Sequence, residues 1–328
     1  MAWTAGVRVN VMAARPAISI VMPLYNKGGQ VLETIASVAA QTHSDWELVV
    51  VDDGSTDGGP VLVRALQDPR IRVVSQVNAG VAVARNRGIE LARGDLIAFL
   101  DADDLWLPGF LDAVLALEVD FPQAQWFATG YEIRPVQGAS YVARLRGAPK
   151  GFRRAILPDY FTVAIQSTPP VWSSAAAVRR DAIQTIGGFP VGIDSGEDLL
   201  TWARLAVRYP LGYDAQPLAV FLISGIERKP DPTDRVGQAL VQLMQEFPAV
   251  PSLRAYLGLW YRMQAVIAMR FGQANLARQW AWLAVRYGPG QMRNLYTLFL
   301  ALLPPAWCKA LDTRARSLLS NYKDSAAS

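Results

Sequence analysis

Four short runs in the first hundred residues, at 18–22, 46–51, 71–75 and 96–100, are apolar almost without interruption. Unbroken apolar runs of this length predict strands covered on both faces, whereas half-exposed strands alternate. The stretches between them, over 29–41, 60–67 and 80–92, have helical spacing and short connections. Pro60 suits a first helical turn, with Thr56 or Asp57 before it, and Arg93-Gly94-Asp95 predicts a glycine stop for the third helix. Strand and helix signals that alternate in this way predict βαβ units and a mainly parallel sheet.

Beyond residue 104 the pattern loosens. A helix is predicted from Pro108 to about 117, then β-like pieces at 126–129 and 171–178, a short helix at 180–186 stopped by Gly187-Gly188, and a helix over 197–207. A last strand is predicted at 218–223, followed by a proline-bearing linker over 227–234. Leu253, Tyr256, Leu257, Trp260, Met263, Ile267 and Phe271 then repeat at helical spacing, as do Leu276, Trp280, Leu283, Ala284 and Tyr287, predicting an αα-hairpin. The expected layout is an N-terminal extension (1–16), an α/β domain (17–232, with halves 17–120 and 121–232), and a helical C-terminal region (233–328).

Charge changes this picture in one place. Residues 251–328 carry ten Lys/Arg against two Asp, leaving the first 250 residues at −4 within a total of +4. A basic tail containing Trp260, Trp280, Trp282 and Trp307 suits an interfacial helix on an anionic membrane, and equally a docked hairpin. No nucleic-acid motif accompanies it. The one cysteine, Cys308, excludes an internal disulfide, and the one histidine, His43, sits in a polar stretch and reads as a loop residue. Histidine-rich metal sites are therefore excluded. No signal segment or membrane-spanning run is evident, so a cytoplasmic protein is expected, with the cytoplasmic membrane face as a candidate location.

Two of the strands run straight into aspartates: 46–51 into Asp52-Asp53-Gly54-Ser55-Thr56-Asp57, and 96–100 into Asp101-Ala102-Asp103-Asp104. Ligands of open α/β sheets bind beyond the carboxyl ends of the strands. Carboxylates gathered there are costly unless a cation or hydrogen-bonding ligand joins them. Asp101-Ala102-Asp103 can offer one oxygen to Mg²⁺ or Mn²⁺ and another to a sugar or ribose hydroxyl. Read only structurally, the same residues are an acidic loop with Asp104 capping the next helix, and Asp57 is a turn or cap residue.

Pro23-Leu24-Tyr25-Asn26, Val51 to Asp57, Asn78-Ala79-Gly80 with Ala84-Arg85-Asn86-Arg87-Gly88, and Phe99 to Asp104 occur in an order and spacing that resembles family 2 glycosyltransferases. The resemblance is strong over about 17–120 and weaker to about 210. It implies an α/β GT-A fold, a Rossmann-like, mainly parallel sheet flanked by helices, here with a C-terminal helical extension. It also implies inverting transfer of a sugar from a nucleotide diphosphate-sugar, a UDP-sugar first among them, to a glycan or lipid-linked acceptor in envelope or exopolysaccharide synthesis.

By the same resemblance Asp103 is the metal ligand and Asp101, with Ala102 between, contacts the nucleotide-sugar. Asp53 accepts the imide N–H of the base, flanked by Pro23, Tyr25 and Asn26, and Arg85 lies near the diphosphate or base. Gly196-Glu197-Asp198 resembles the family's Glu-Asp motif; a positioned carboxylate must take the acceptor proton, with Asp198 as base and Glu197 supporting or competing for that role. Trp202, one turn on, is assigned either to the acceptor pocket or to packing. A nucleotidyltransferase would need a glycine-rich, lysine-bearing phosphate loop, for which Lys27-Gly28-Gly29 is a poor substitute. A phosphoacceptor signalling domain would carry its acidic pair after the first strand, and an inactive scaffold would not need intact acidic motifs.

Overall fold

The computed structural model describes residues 15–223 and 230–304. Cys308, Trp307, the basic residues beyond them and the core of the expected linker lie outside the described residues. The N-terminal half of the sheet domain runs β1 (Ile18–Leu24), α1 (Val31–Ala39), β2 (Trp46–Asp52), α2 (Gly59–Ala65), β3 (Ile71–Ser75), α3 (Val81–Leu91) and β4 (Leu96–Phe99). A two-residue β5 (Leu105–Trp106) and α4 (Phe110–Asp120) follow. Then come β6 (Trp126–Arg134), β7 (Tyr141–Val142), β8 (Arg154–Ile156), α5 (Tyr160–Gln166), a 3₁₀ turn (Ser173–Ala175) and β9 (Ala176–Arg179). The domain closes with α6 (Arg180–Thr185), α7 (Glu197–Ala206) and β10 (Leu211–Leu222), and the chain continues as α8 (Arg235–Glu246), α9 (Pro251–Arg270), α10 (Ala274–Tyr287) and α11 (Met292–Leu302).

The main strands form one mixed sheet in the order β3-β2-β1-β4-β9-β6-β10-β5. β3, β2, β1 and β4 are parallel, whereas β9 is antiparallel to both of its neighbours. The order reverses between β1 and β4, so the chain leaving β1 and the chain leaving β4 open a crevice at that switch point. Every residue of β2 and β4 is buried, as unbroken apolar runs require. β3 is only half-buried, because it forms the sheet edge.

One face of the sheet packs Ile20, Met22, Leu48 and Leu100 against Val31, Ile35 and Val38 of α1 and Phe110 and Val114 of α4. The other face packs Val21, Phe99 and Trp126 against α5, α6 and α7, and the same core continues into α8, α9 and α10 through Leu240, Leu257, Trp260 and Trp280. The C-terminal helices thus share a core with the sheet domain. The ring of Tyr256 meets Phe161 at 5.3 Å and Tyr160 at 6.0 Å, joining α9 to α5.

Several elements differ from their sequence expectation. β10 begins at Leu211, not 218, because Pro217 sits at a register shift inside a long strand instead of before one. α3 does not end on a left-handed glycine: Ala92 is extended, and Gly94 is needed because a Cβ there would meet the Pro16 and Ser19 backbone at 3.0 Å. Asp104 caps no helix; α4 starts after Gly109, which takes φ +95°. α5, begun by an Asp159 side chain that accepts from Phe161 N–H, carries too short a pattern to be read from the sequence. His43 lies in a loop, 3.6 Å from Asp112.

Candidate active site

The chain leaves β1 through half-buried Pro23 and exposed Tyr25, and Asn26 takes the left-handed conformation at φ +52°. Its side-chain oxygen accepts from Thr56 N–H at 2.8 Å and its own N–H donates to Ser55 Oγ at 3.2 Å, tying the turn after β1 to the loop after β2. Asp57 completes the tie by accepting from Gly28 N–H (2.7 Å) and Gly59 N–H (3.0 Å). The Gly28 amide is therefore engaged inside the loop, which removes one donor a phosphate-cradling Lys27-Gly28-Gly29 turn would need. Tyr25, 49% exposed, is left free to present its ring over the crevice.

Asp53 lies at the crevice floor and is almost fully buried. Its carboxylate accepts from Ala79 N–H and Gly80 N–H at 2.9 Å and from Gln76 Nε2 at 2.8 Å, while Asn78 Nδ2 donates to its carbonyl. These bonds fix the 78–80 loop, where Gly80 takes φ +93° before α3 begins. A carboxylate has about four acceptor positions, so capacity for one further donor, such as a base N–H, remains.

Beyond β4, the Ala102 carbonyl accepts from Thr34 Oγ1 of α1 (2.9 Å), and Asp101 N–H donates to Ser174 Oγ (3.1 Å). The Ala102 side chain is buried, so only the flanking carboxylates face the crevice. Asp103 receives the Lys27 ammonium, and Asp101 receives Arg85 Nη2 at 2.7 Å. Arg85 is the centre of the site. Only 3% exposed, it donates its other terminal nitrogen to Glu197 Oε1 at 2.9 Å and lies 5.0 Å from the Phe189 ring centroid. Burial alone would lower its affinity for a proton, but Asp101 and Glu197 outweigh that and hold it above the ordinary arginine range. Sequence reasoning put Arg85 at the diphosphate or base; its visible contacts are carboxylates at both ends of the site.

Next to Arg85, Asn86 accepts from Phe189 N–H and donates to Phe189 O, both at 2.8 Å. It thereby clamps the turn made by Gly187 (φ +79°) and Gly188 (φ +70°). A Cβ on Gly188 would come within 2.5 Å of Asn86 Oδ1. Consecutive residues of α3 thus place the segment that delivers Glu197 and Asp198. Gly196 precedes them at φ +89°, and a Cβ there would meet the Trp260 ring at 2.7 Å. Trp260 is fixed in turn by its Nε1–H to Asp234 Oδ1 (3.0 Å), so α9 forms the wall behind the start of α7.

Glu197 and Asp198 are both buried. Burial first, then the Asp198 charge, raise the Glu197 carboxyl to about 7 against the opposing pull of Arg85. Asp198 forms a hydrogen bond to Leu199 N–H at 2.8 Å through Oδ1. Trp202 is fully buried and stacks on Trp126 with centroids 6.0 Å apart, so it packs in the core.

Two residues escaped sequence reasoning. Asp104 accepts from Trp172 Nε1 (2.7 Å), Ser174 Oγ and Leu222 N–H (3.0 Å), joining the strand-end loop to β10. Burial, then Asp101, push its carboxyl up to about 8 despite these bonds. Its partners lie some seventy and more residues away, and no local signal marks them. The other is Lys27, which follows the left-handed Asn26 and places its ammonium on Asp103.

Among the described residues Asp101, Asp103 and Glu197 pair with Arg85 and Lys27, while Asp104 and Asp198 form no ion pair, a surplus of carboxyl groups that would welcome a divalent cation. Among the described residues no group of three or more ligating side chains could enclose a metal. One or two carboxylates completed by substrate phosphates are nevertheless the usual donor set for Mg²⁺. Asp103, with Asp101 beside it, fits that set.

A family model described as Glycosyl transferase family 2 matches residues 19–187. An uncharacterized glycosyltransferase of Rickettsia felis is 31% identical over 212 residues, covering 63% of this chain and 33% of that protein. TuaG of Bacillus subtilis, named for teichuronic acid biosynthesis, is 39% identical over 127 residues, covering 38% of this chain and 50% of that protein. The chain spans about a third of the length of the rickettsial relatives it matches. Among solved structures, S. aureus TarS 1–349 in complex with UDP-GlcNAc superposes with TM-score 0.63 at 16% identity, covering 87% of this chain and 90% of that one. The mannosyltransferase PcManGT of Pyrobaculum calidifontis, in complex with GDP-Man and Mn²⁺, superposes with TM-score 0.58 at 22% identity, covering 95% and 83%. These likenesses show the fold to be GT-A, and the matched sequence shows that the chain belongs to glycosyltransferase family 2.

Proposed function

We propose that this chain transfers a sugar from a nucleotide diphosphate-sugar, a UDP-sugar first among the candidates, to an acceptor hydroxyl with inversion, in cell-envelope or exopolysaccharide synthesis. One observation carries the reading: a single buried arginine, Arg85, binds Asp101 of the donor-side loop and Glu197 of the acceptor-side helix. The two acidic motifs therefore meet across one guanidinium, as a transfer between donor and acceptor requires.

On the donor side, Tyr25 offers a stacking face and Asp53 a remaining acceptor position for the base. Asp103 and Asp101 would hold Mn²⁺ or Mg²⁺; when bound, the cation stabilises negative charge on the departing diphosphate. Lys27 Nζ, with two N–H donors beyond its bond to Asp103, reaches the same oxygens. On the acceptor side Asp198 takes the hydroxyl proton. It is preferred to Glu197 because Glu197 is committed to Arg85, whereas Asp198 forms no ion pair among the described residues and its Oδ2 is left for the hydroxyl. Glu197 then positions Arg85 and through it Asp101. The donor bound to TarS and the GDP-Man and Mn²⁺ bound to PcManGT support the nucleotide-sugar and metal parts of this reading.

Peripheral membrane contact belongs to the same proposal. Met292, Leu295, Tyr296, Phe299 and Leu302 are exposed along one face of α11. Residues 251–304 contain six arginines and no acidic residue, which suits an anionic lipid surface. Among the described residues no helix is long and apolar enough to cross a membrane.

The test is Mn²⁺-dependent hydrolysis and thermal stabilisation across a nucleotide-sugar panel. Stabilisation by one donor, lost in Asp103→Ala, is expected; no stabilisation by any donor, together with an Asp103→Ala protein that behaves as wild type, refutes the enzyme reading. Co-sedimentation with phosphatidylglycerol vesicles should fall when Leu295, Phe299 and Leu302 are changed to Ser, and equal pelleting refutes the membrane contact.

A further inference from the structure

Behind Asp198 the protein leaves room. A cavity of about 220 Å³ is lined by Tyr160, Leu199, Tyr256, Trp260, Arg262 and Met263, at the junction of α5, α7 and α9. Aromatic faces suit the C–H face of a sugar ring. Tyr160 and Tyr256 bring their hydroxyls together there, where each feels the other. The Asp198 charge is felt by both tyrosines, which places the cavity beside the proposed base.

Ser167, at the end of α5, lines this cavity and also a second, more open groove of about 240 Å³. The groove is walled by Tyr141, Arg144, Arg146, Gln166, Thr168 and Arg293, with three guanidinium groups and no carboxylate in its lining. None of Arg144, Arg146, Arg262 and Arg293 forms an ion pair among the described residues, so the charge of the groove is not neutralised from within the protein. Arg262 lines the cavity and feels the charge of Arg293 in the groove: burial, and then Arg293, push its guanidinium down to about 10. Unpaired arginines gathered at a concave surface favour phosphate oxygens above other anions, because the planar fork matches them bidentately.

We propose that Arg144, Arg146 and Arg293 form a phosphate subsite for the acceptor, holding a phosphate or diphosphate ester whose adjoining sugar occupies the aromatic cavity beside Leu199. The proposal rests on the glycosyltransferase reading and names its acceptor class as a phosphorylated glycoside. The order base, sugar cavity, arginine groove leads on to α11, whose exposed apolar face begins beside Arg293. A lipid carrier and a soluble or polymeric phosphate share the chemistry the groove recognises.

The experiment is isothermal titration of the full chain saturated with UDP and Mn²⁺, so that the donor site is filled. The probes are glucose, glucose 1-phosphate and dodecyl phosphate below its micellar concentration. Glucose 1-phosphate should bind at least about tenfold tighter than glucose, a preference that Arg144→Gln/Arg146→Gln/Arg293→Gln should abolish. Dodecyl phosphate binding tighter than glucose 1-phosphate assigns the phosphate to a lipid carrier, and the reverse order assigns it to a soluble or polymeric one; both support the subsite. Equal affinity for glucose and glucose 1-phosphate, or a preference that survives the triple substitution, overturns it. The UDP titration that precedes each run reports on the donor site of wild type and variant, so failure of the glycosyltransferase reading would register there, separately from failure of the subsite. The double variant Arg144→Gln/Arg146→Gln, confined to one exposed loop, should show an intermediate loss and keeps the result interpretable if the triple variant melts early.

Discussion

Replacing Arg85 by Met is the most direct test of how the site is held together. The guanidinium is buried between Asp101 and Glu197, with Asp198 also within its field. Met fills a similar volume without charge, so the substitution strands acidic groups in a low-dielectric pocket. Removing one partner of a buried ion pair costs about 3–5 kcal/mol. For a chain of this size each kcal/mol moves the midpoint by about 2–4 °C, so the ligand-free protein should melt roughly 6–20 °C lower. The second substitution Glu197→Gln, made in the Arg85→Met background, should recover part of the loss, because one stranded carboxyl is gone; coupling of about 0.5–3 kcal/mol is expected for groups in contact. Differential scanning fluorimetry of the four proteins, without ligand and with UDP, measures the cycle. The alternative is that Arg85 serves chiefly to bind donor phosphate. In that case the ligand-free midpoint would stay within about 2 °C of wild type, UDP stabilisation would vanish, and Glu197→Gln would rescue nothing. That outcome would refute the positioning role.

Three further outcomes follow from the same geometry. Asp103→Asn, at a half-buried pair with Lys27, should cost at most about 1 kcal/mol in denaturant titration yet reduce Mn²⁺-dependent donor hydrolysis by about a hundredfold or more. Glu197, raised from 4.5 to about 7, binds more protons folded than unfolded near pH 6, so its stabilising contribution is present below pH 4.5 and lost as pH rises through 7. Wild type should therefore lose roughly 3 kcal/mol relative to Glu197→Gln between pH 4.5 and 8, and a flat difference between urea midpoints would contradict the assignment. Gly196→Ala adds a Cβ at φ +89° that meets the Trp260 ring at 2.7 Å, so a loss of roughly 2–4 kcal/mol is expected, accompanied by reduced transfer as the Glu197–Asp198 turn shifts.

How much of this was legible in the chain depends on the distance over which each feature is specified. β1, β2, β4 and the helices between them announce themselves, because unbroken apolar runs and amphipathic spacing act within ten residues. The aspartate loops are legible for the same reason: each directly follows a strand. Asp104 was misassigned because its carboxylate is held by Trp172, Ser174 and Leu222, which only the folded sheet brings near. Arg85 stood out as a cation near a helix start, but no local pattern shows that it would be buried with both terminal nitrogens on carboxylates. Lys27 was weighed as part of a phosphate loop, and its pairing with Asp103 depends on the switch point between β1 and β4. The early start of β10 was hidden by Pro217, which local rules place at a strand boundary.

The family match ends at residue 187, whereas the proposed base and the wall behind it lie beyond that point. Trp260 packs against Gly196, and Asp234 holds Trp260 while also accepting from Gly237 N–H at the start of α8. Helices that read in sequence as a basic, tryptophan-rich appendage therefore fix the height at which Glu197 and Asp198 enter the crevice. They also supply Tyr256, Arg262 and Arg293 to the spaces beyond Asp198. The proposed donor side is built from the part of the chain that matches the family. The acceptor side is built across the junction of α5, α7 and α9, and there the charge and shape of this chain must decide what receives the sugar. Of the six arginines in residues 251–304, Arg293 lines the groove and Arg262 the cavity beside it, and the exposed apolar face of α11 begins next to Arg293.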